Sequence, residues 1–269
     1  MSNSKSANAG RVSMTSEEGI AVVTLENEGK YNAMSRSMWR ALRDTFQAIQ
    51  ASSEWRCVLV QGKGRQFCAG GDIAEYPGFR FEEKTLRAFH EEDVWGGLEA
   101  MLSCDVPIIA AIDGHCMGAG VEIASCCDIR LASRAARFGA PIARLGFPMA
   151  PREAQLVIRV AGEATAREML LEAAVLDALE MKARGFLHAI VDEHELMPYA
   201  GGRARRIASL APEAARMNKQ TIRALGNLRS GSGSVDAFDR LLSQAYAYAD
   251  SAEHREGISA FVDKRSPRF

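Results

Sequence analysis

Pro107-Ile-Ile-Ala-Ala-Ile-Asp-Gly-His-Cys-Met-Gly-Ala-Gly-Val-Glu-Ile-Ala-Ser-Cys-Cys-Asp128 decides the fold. Its apolar start, Pro107–Asp113, reads as a strand, and the small and apolar run Ile123–Asp128 suits a buried helix. Gly118-Ala119-Gly120 opens that helix. A helix N-terminus carries unsatisfied N–H groups and roughly half a positive charge, which favours an anion developing beside it.

A second segment of the same kind lies upstream, Gln61-Gly-Lys-Gly-Arg-Gln-Phe-Cys-Ala-Gly-Gly-Asp72, directly after the strand-like run Cys57–Gln61. Gly62 and Gly64 allow a reversal, and Ala69-Gly70-Gly71 are small enough for a ligand to touch the backbone. Alone, such a loop reads equally well as a surface turn. Two strand ends, each delivering a small-residue loop with free amides, supply two donors for one oxyanion. Neither segment carries the Gly-x-Gly-x-x-Gly spacing of a dinucleotide site or ends in the Gly-Lys-Ser/Thr of a P-loop.

Further out, Ile20–Leu25 and Asp128–Ala132 read as strands and Ser35 as the cap of a helix reaching Gln50, with Met38, Leu42, Phe46 and Ile49 on one face. A helical stretch from Glu82 to Met101 is interrupted at Gly96-Gly97. Strands alternating with helices predict an α/β core with a mostly parallel sheet. From about Ala150 the pattern is helical: Pro151–Val160, Glu163–Glu172, Leu176–Gly185, Glu195–Leu210, Pro212–Leu225, Ser234–Ala249 and Ala252–Lys264, broken by a short strand at His188–Asp192. The expected organisation is a flexible tail over 1–17, an α/β core over 18–200 and a helical region over 201–269, with a flexible joint at Arg229–Ser234.

A net charge of -1 gives no field that would gather nucleic acid or an anionic membrane. No apolar run reaches the ~18 residues of a membrane span. The six cysteines, Cys57, Cys68, Cys104, Cys116, Cys126 and Cys127, lack zinc-ligand spacing and read as free buried thiols in a reducing cytoplasm.

Together, Phe67-Cys-Ala-Gly-Gly-Asp72, Pro107–Asp128, Tyr31-Asn-Ala-Met34, Ala136-Arg-Phe-Gly-Ala-Pro141 and Glu256-Gly-Ile-Ser-Ala-Phe-Val-Asp-Lys-Arg265 resemble the enoyl-CoA hydratase/isomerase (crotonase) family. In order and spacing the resemblance covers roughly 18–265. It implies a core of repeated ββα units, a helical C-terminal trimerisation region, and assembly as a homotrimer or dimer of trimers. It also implies an acyl-CoA substrate with no prosthetic group, the thioester oxygen taken by the amides of Gly71 and Ala119. Coenzyme A would lie against Lys30, Ala33, Met34, Ala69, Gly70, Asp72 and Ile73. Phe261 and Lys264 match nucleotide contacts often made from a neighbouring subunit.

Glu122 matches the first hydratase glutamate, a role for which a helix-start carboxylate is suited; an acid there is also common for the helix dipole alone. The second hydratase glutamate is replaced by Ile142, which cannot move a proton. Within Gly146-Phe-Pro-Met-Ala-Pro-Arg-Glu-Ala-Gln155, Glu153 is a candidate second acid/base or simply a dipole partner. Arg152 is a candidate contact for a carboxylated acyl group or simply solvated. Arg144 reads equally as a surface salt-bridge partner and as a substrate contact. His115 is an acid/base candidate for which packing or backbone hydrogen bonding is favoured, and Cys68 and Cys116 lack an activating neighbour. The resemblance therefore implies a hydratase-like lyase with Glu122 as acid/base. Isomerisation, thioester hydrolysis, decarboxylation, and acyl-CoA binding without catalysis remain as alternatives. A serine peptidase is disfavoured, because no Ser-His-Asp set assembles and Ser125 reads as a small helix residue.

Overall fold

The computed structural model describes residues 10–229 and 235–269. β1 (Arg11–Glu17) and β2 (Ile20–Glu26) form an antiparallel hairpin whose turn residues, Glu18 and Gly19, have φ of 49° and 78°. Two positive φ values match the turn to the right-handed twist of the strands. The tail expected over 1–17 is therefore a strand from Arg11 onward. Its exposed, polar face left no apolar alternation to read.

α1 (Arg36–Ala51) starts where the Ser35 side chain accepts from the Met38 amide at 3.2 Å, and it buries Met38, Trp39, Leu42, Phe46 and Ile49. β3 (Cys57–Gly62) and a 3-10 turn (Ile73–Gly78) precede α2 (Glu83–Ala88), which passes through a π-turn (Phe89–Val94) into α3 (Trp95–Ser103). The break expected at Gly96-Gly97 is absent. A β-carbon on Gly97 would lie 3.0 Å from the Trp39 ring, so that glycine serves close helix packing.

Then come β4 (Ile108–Ile112), β5 (His115–Met117), α4 (Ala119–Cys126), β6 (Ile129–Ser133) and β7 (Arg137–Gly139). A 3-10 turn (Pro141–Leu145), α5 (Pro151–Ala161), α6 (Glu163–Leu171), β8 (Val175–Asp177), α7 (Ala178–Ala183) and β9 (Ala189–Val191) follow. The helix expected over Leu176–Gly185 starts later, at Ala178, capped by Asp177 and Glu180 in a reciprocal box. α8 (Leu196–Ala208), α9 (Pro212–Arg229), α10 (Val235–Gln244) and α11 (Ala252–Val262) close the chain. Of the joint expected at Arg229–Ser234, residues 230–234 lie outside the described residues.

The large sheet runs β1-β2-β3-β4-β6-β9 and is parallel except for β1. Its central strands β3, β4 and β6 are buried on both faces, as parallel strands require. Val58, Val60, Ile108, Ala110 and Ile112 face the main core under α1, α3 and α4. Their alternates Cys57, Leu59, Ile109 and Ala111 pack against Leu196, Ala200, Ala204 and Ala208, one face of α8 at four-residue spacing. A small sheet, β5-β7-β8, sits beside the loops that leave β3 and β4.

Candidate active site

The loops after β3 and β4 are stitched together. Cys68 donates from its amide to His115 O at 2.8 Å, Met117 donates to Cys68 O at 2.9 Å, and Cys68 and Cys116 form a parallel bridge. The first loop is tied equally to the segment before α1: Met34 N donates to Gly70 O and Asp72 N to Met34 O, both at 2.8 Å. Gly118 turns the second loop with φ 47°, donating to Gly139 O, so that Ala119 begins α4. A β-carbon on Gly120 would meet Cys68 O at 2.5 Å, so only glycine lets the helix approach this closely. Among the described residues no acceptor takes the Gly71 or Ala119 amide, and both residues line a cavity of about 210 Å³.

Glu122, in the first turn of α4, lines the same cavity and is 9% exposed. Its carboxyl meets no hydrogen-bond donor among the described residues. Burial, and then the charge of Glu153, push its pKa up to about 8. Ile142 also lines the cavity.

Glu153 is 2% exposed at the start of α5. One of its oxygens lies 3.0 Å from His90 Nδ1, and the other has no hydrogen-bond partner. His90 lines the cavity, and Glu153 stands behind it. Arg152 points elsewhere, pairing with Glu91 at 3.5 Å on the surface.

Three cavity residues gave no signal in the sequence: Tyr76, Arg80 and His90. They come from a 3-10 turn, the loop after it and a π-turn, where no periodicity marks which side chains turn inward. Tyr76 places its hydroxyl against Gly71, and burial raises its pKa to about 12, so it stays a neutral donor.

Of the expected coenzyme A contacts, Ala69, Gly70 and Ile73 line the cavity. Met34 bridges to Gly71, and Ala33 is buried beside it. Lys30 Nζ lies 2.6 Å from Asp72, whose other oxygen caps Ala74. Phe261 and Lys264 are exposed near the C-terminus and do not line the cavity of their own chain. His115 bonds Gln66 and stacks on Tyr31, Arg144 donates to Ala173 O, and the Ser125 hydroxyl donates to Val121 O. The six cysteines are free and buried, and burial raises the Cys68 pKa to about 12, which leaves no thiolate nucleophile. Among the described residues no cluster suits a metal ion, and no helix is long and apolar enough to cross a membrane.

This architecture, with paired loop amides at the ends of parallel strands, is the crotonase fold. A solved enoyl-CoA hydratase/carnithine racemase from Magnetospirillum magneticum superposes with a TM-score of 0.88 at 34% identity, covering 96% of this chain and 94% of that one. The enoyl-CoA hydratase of Bacillus anthracis gives 0.85 at 26%, covering 96% and 98%. A short-chain-enoyl-CoA hydratase of Clostridium acetobutylicum is 31% identical over 94% of this chain and 95% of its own. The sequence profile of the enoyl-CoA hydratase/isomerase family matches residues 15–269. The chain belongs to that family, whose members are enzymes acting on coenzyme A thioesters.

Proposed function

We propose that the protein hydrates a short-chain 2-enoyl-CoA, with the thioester oxygen held by the Gly71 and Ala119 amides and Glu122 as the acid/base. The observation that carries this reading is a carboxyl with its pKa raised to about 8, sharing one cavity with two free amide donors. Glu122 takes a proton from water as the water oxygen bonds to the β-carbon. The electron pair of the double bond moves onto the thioester, and the resulting enolate is stabilised at the amides. Glu122 then returns a proton to the α-carbon, so that one water is added overall. A group with a pKa near neutrality serves in both directions, which one carboxyl must do where Ile142 replaces the second. Glu153 acts on Glu122 by raising its pKa. Coenzyme A would be met by Ile73, which lines the cavity, and by the paired Lys30 and Asp72.

The short-chain hydratase of Clostridium acetobutylicum and the crotonyl-CoA hydratase of Syntrophomonas wolfei, 29% identical, support a short acyl group. Ile142 favours a second reading, thioester hydrolysis or decarboxylation on the same scaffold. Exposed Ile222, Leu225, Leu242, Ile258 and Phe261 on the C-terminal helices support assembly as a trimer or dimer of trimers, which would bring Phe261 and Lys264 to a neighbour's coenzyme A. Free buried thiols fit a cytoplasmic enzyme.

Incubation with crotonyl-CoA should remove the conjugated-thioester absorbance, and Glu122→Gln should slow this by about 10²–10⁴-fold, the range for a general acid/base. Unchanged absorbance with release of free coenzyme A thiol would support the hydrolase instead. Binding without any turnover would leave an acyl-CoA-binding protein.

A further inference from the structure

Arg80 lines the same cavity as Gly71, Tyr76 and Glu122. Its guanidinium carbon lies 3.7 Å from the Phe147 ring centroid and 4.5 Å from that of Tyr76, two rings set edge-to-face at 68°, so the group is held in the corner they form. Nη1 lies 3.4 Å from His90 Nε2. The other ring nitrogen, Nδ1, faces the Glu153 carboxylate at 3.0 Å; with its proton on Nδ1, the histidine accepts at Nε2 from Arg80. Glu153 thereby orients His90, and His90 orients Arg80.

The rest of the guanidinium is unmatched. Arg36 and Arg40 share Asp93, Arg223 pairs with Asp105 and Arg184 with Glu168, whereas among the described residues no carboxylate lies within ion-pair distance of Arg80. An arginine stays charged at neutral pH, and burial without a counterion disfavours that charge. A cation held against two rings, partly withdrawn from water and with most of its donors free, is suited to bidentate capture of a carboxylate.

We propose that Arg80 binds a carboxylate at the distal end of the acyl chain, so that the preferred substrates are coenzyme A thioesters of short dicarboxylic acids. This rests on the acyl-CoA reading of the site. Tyr76 links the two ends of the cavity: its hydroxyl lies against Gly71 and its ring face lies under Arg80, so the cation stands beside the same residue that flanks the thioester end. The two nearby carboxyls do not bar an anion. Glu122 is mostly protonated below about pH 8, and Glu153 is engaged by His90.

The test is calorimetric binding of two saturated esters of equal chain length, glutaryl-CoA and pentanoyl-CoA, which separates recognition from turnover. The wild type should bind glutaryl-CoA about ten-fold or more tightly, as expected for a charge-assisted pair. Arg80→Met should bring the ratio close to one, and Arg80→Lys, which keeps the charge without the fork, should keep part of the preference. Equal affinities in the wild type, or a preference that survives in Arg80→Met, would overturn the assignment while leaving the acyl-CoA reading intact. Failure of both esters to bind would overturn both. If Arg80→Met does not fold, the wild-type ratio and its decrease in Arg80→Lys decide.

Discussion

The hydroxyl of Tyr76 occupies the space that a β-carbon on Gly71 would need. A glycine is thus required at one candidate oxyanion donor by a side chain five residues on, and not by its own φ, which is not positive.

Gly71→Ala should therefore lower kcat/KM for an enoyl-CoA strongly, as the new methyl and the Tyr76 hydroxyl displace one another. Tyr76→Phe removes the hydroxyl and leaves the ring carbon 3.1 Å from that methyl, so the double variant should recover part of the loss. A double-mutant cycle on kcat/KM measures this coupling. Strictly additive losses would show that the contact does not dictate the glycine.

Glu122 also makes stability depend on pH. Its carboxyl holds a proton in the folded chain up to about pH 8, whereas the unfolded chain releases it near 4.5. The folded state binds more protons across that window, so stability should fall as pH rises through it. Thermal melts of Glu122→Gln should lack this decline and exceed the wild type above pH 8. Parallel curves for the two proteins would contradict the buried protonated state.

In kinetics the same group should act in its ionised form, giving a kcat/KM for hydration that rises with pH and levels off above about 8. Glu153→Gln removes the like charge that is the second cause of the shift, while a Gln oxygen still accepts from His90. The rising limb should then move to lower pH, and part of the shift should remain because burial is the larger cause. A limb that stays in place would mean that Glu153 does not act on Glu122.

Gly120→Ala sets a methyl against the carbonyl of Cys68, a backbone atom that cannot rotate away. The cost should be about 1–3 kcal/mol of stability, typical of overpacking, read as a lowered midpoint in urea with unchanged m. Gly226→Ala, where a β-carbon meets nothing within 4 Å, is the control on α9.

β2, β3, β4, β6 and α1 were legible because burial imposes a pattern on them: continuous apolar runs for β3 and β4, and a Met38–Leu42–Phe46–Ile49 stripe for α1, whereas β9 showed only as a short break between helices. β5, β7 and β8, three residues each, are too short to show a period. The small-residue loops around Gly71 and Ala119 were legible as sources of free amides, Glu122 was picked out through the family resemblance, and all three line one cavity. The wall opposite was not legible. Glu153 and Arg152 are neighbours in sequence, yet one is buried behind His90 and the other pairs with Glu91 on the surface. Adjacent positions on a helix point about 100° apart, and only packing says which faces inward.

The seam between Cys68 and Cys116 has a consequence for how such a protein can change. Main-chain hydrogen bonds, joined by the Gln66–His115 and Arg65–Asp113 side-chain contacts, hold the two loops in register, and none of them involves positions 80, 90 or 142. Positions 80, 90 and 142 can therefore be exchanged without moving the anchor for the reacting carbonyl. A new substrate, or a new fate for the enolate, needs only substitutions in the wall, and the most instructive variants of this chain will be found there.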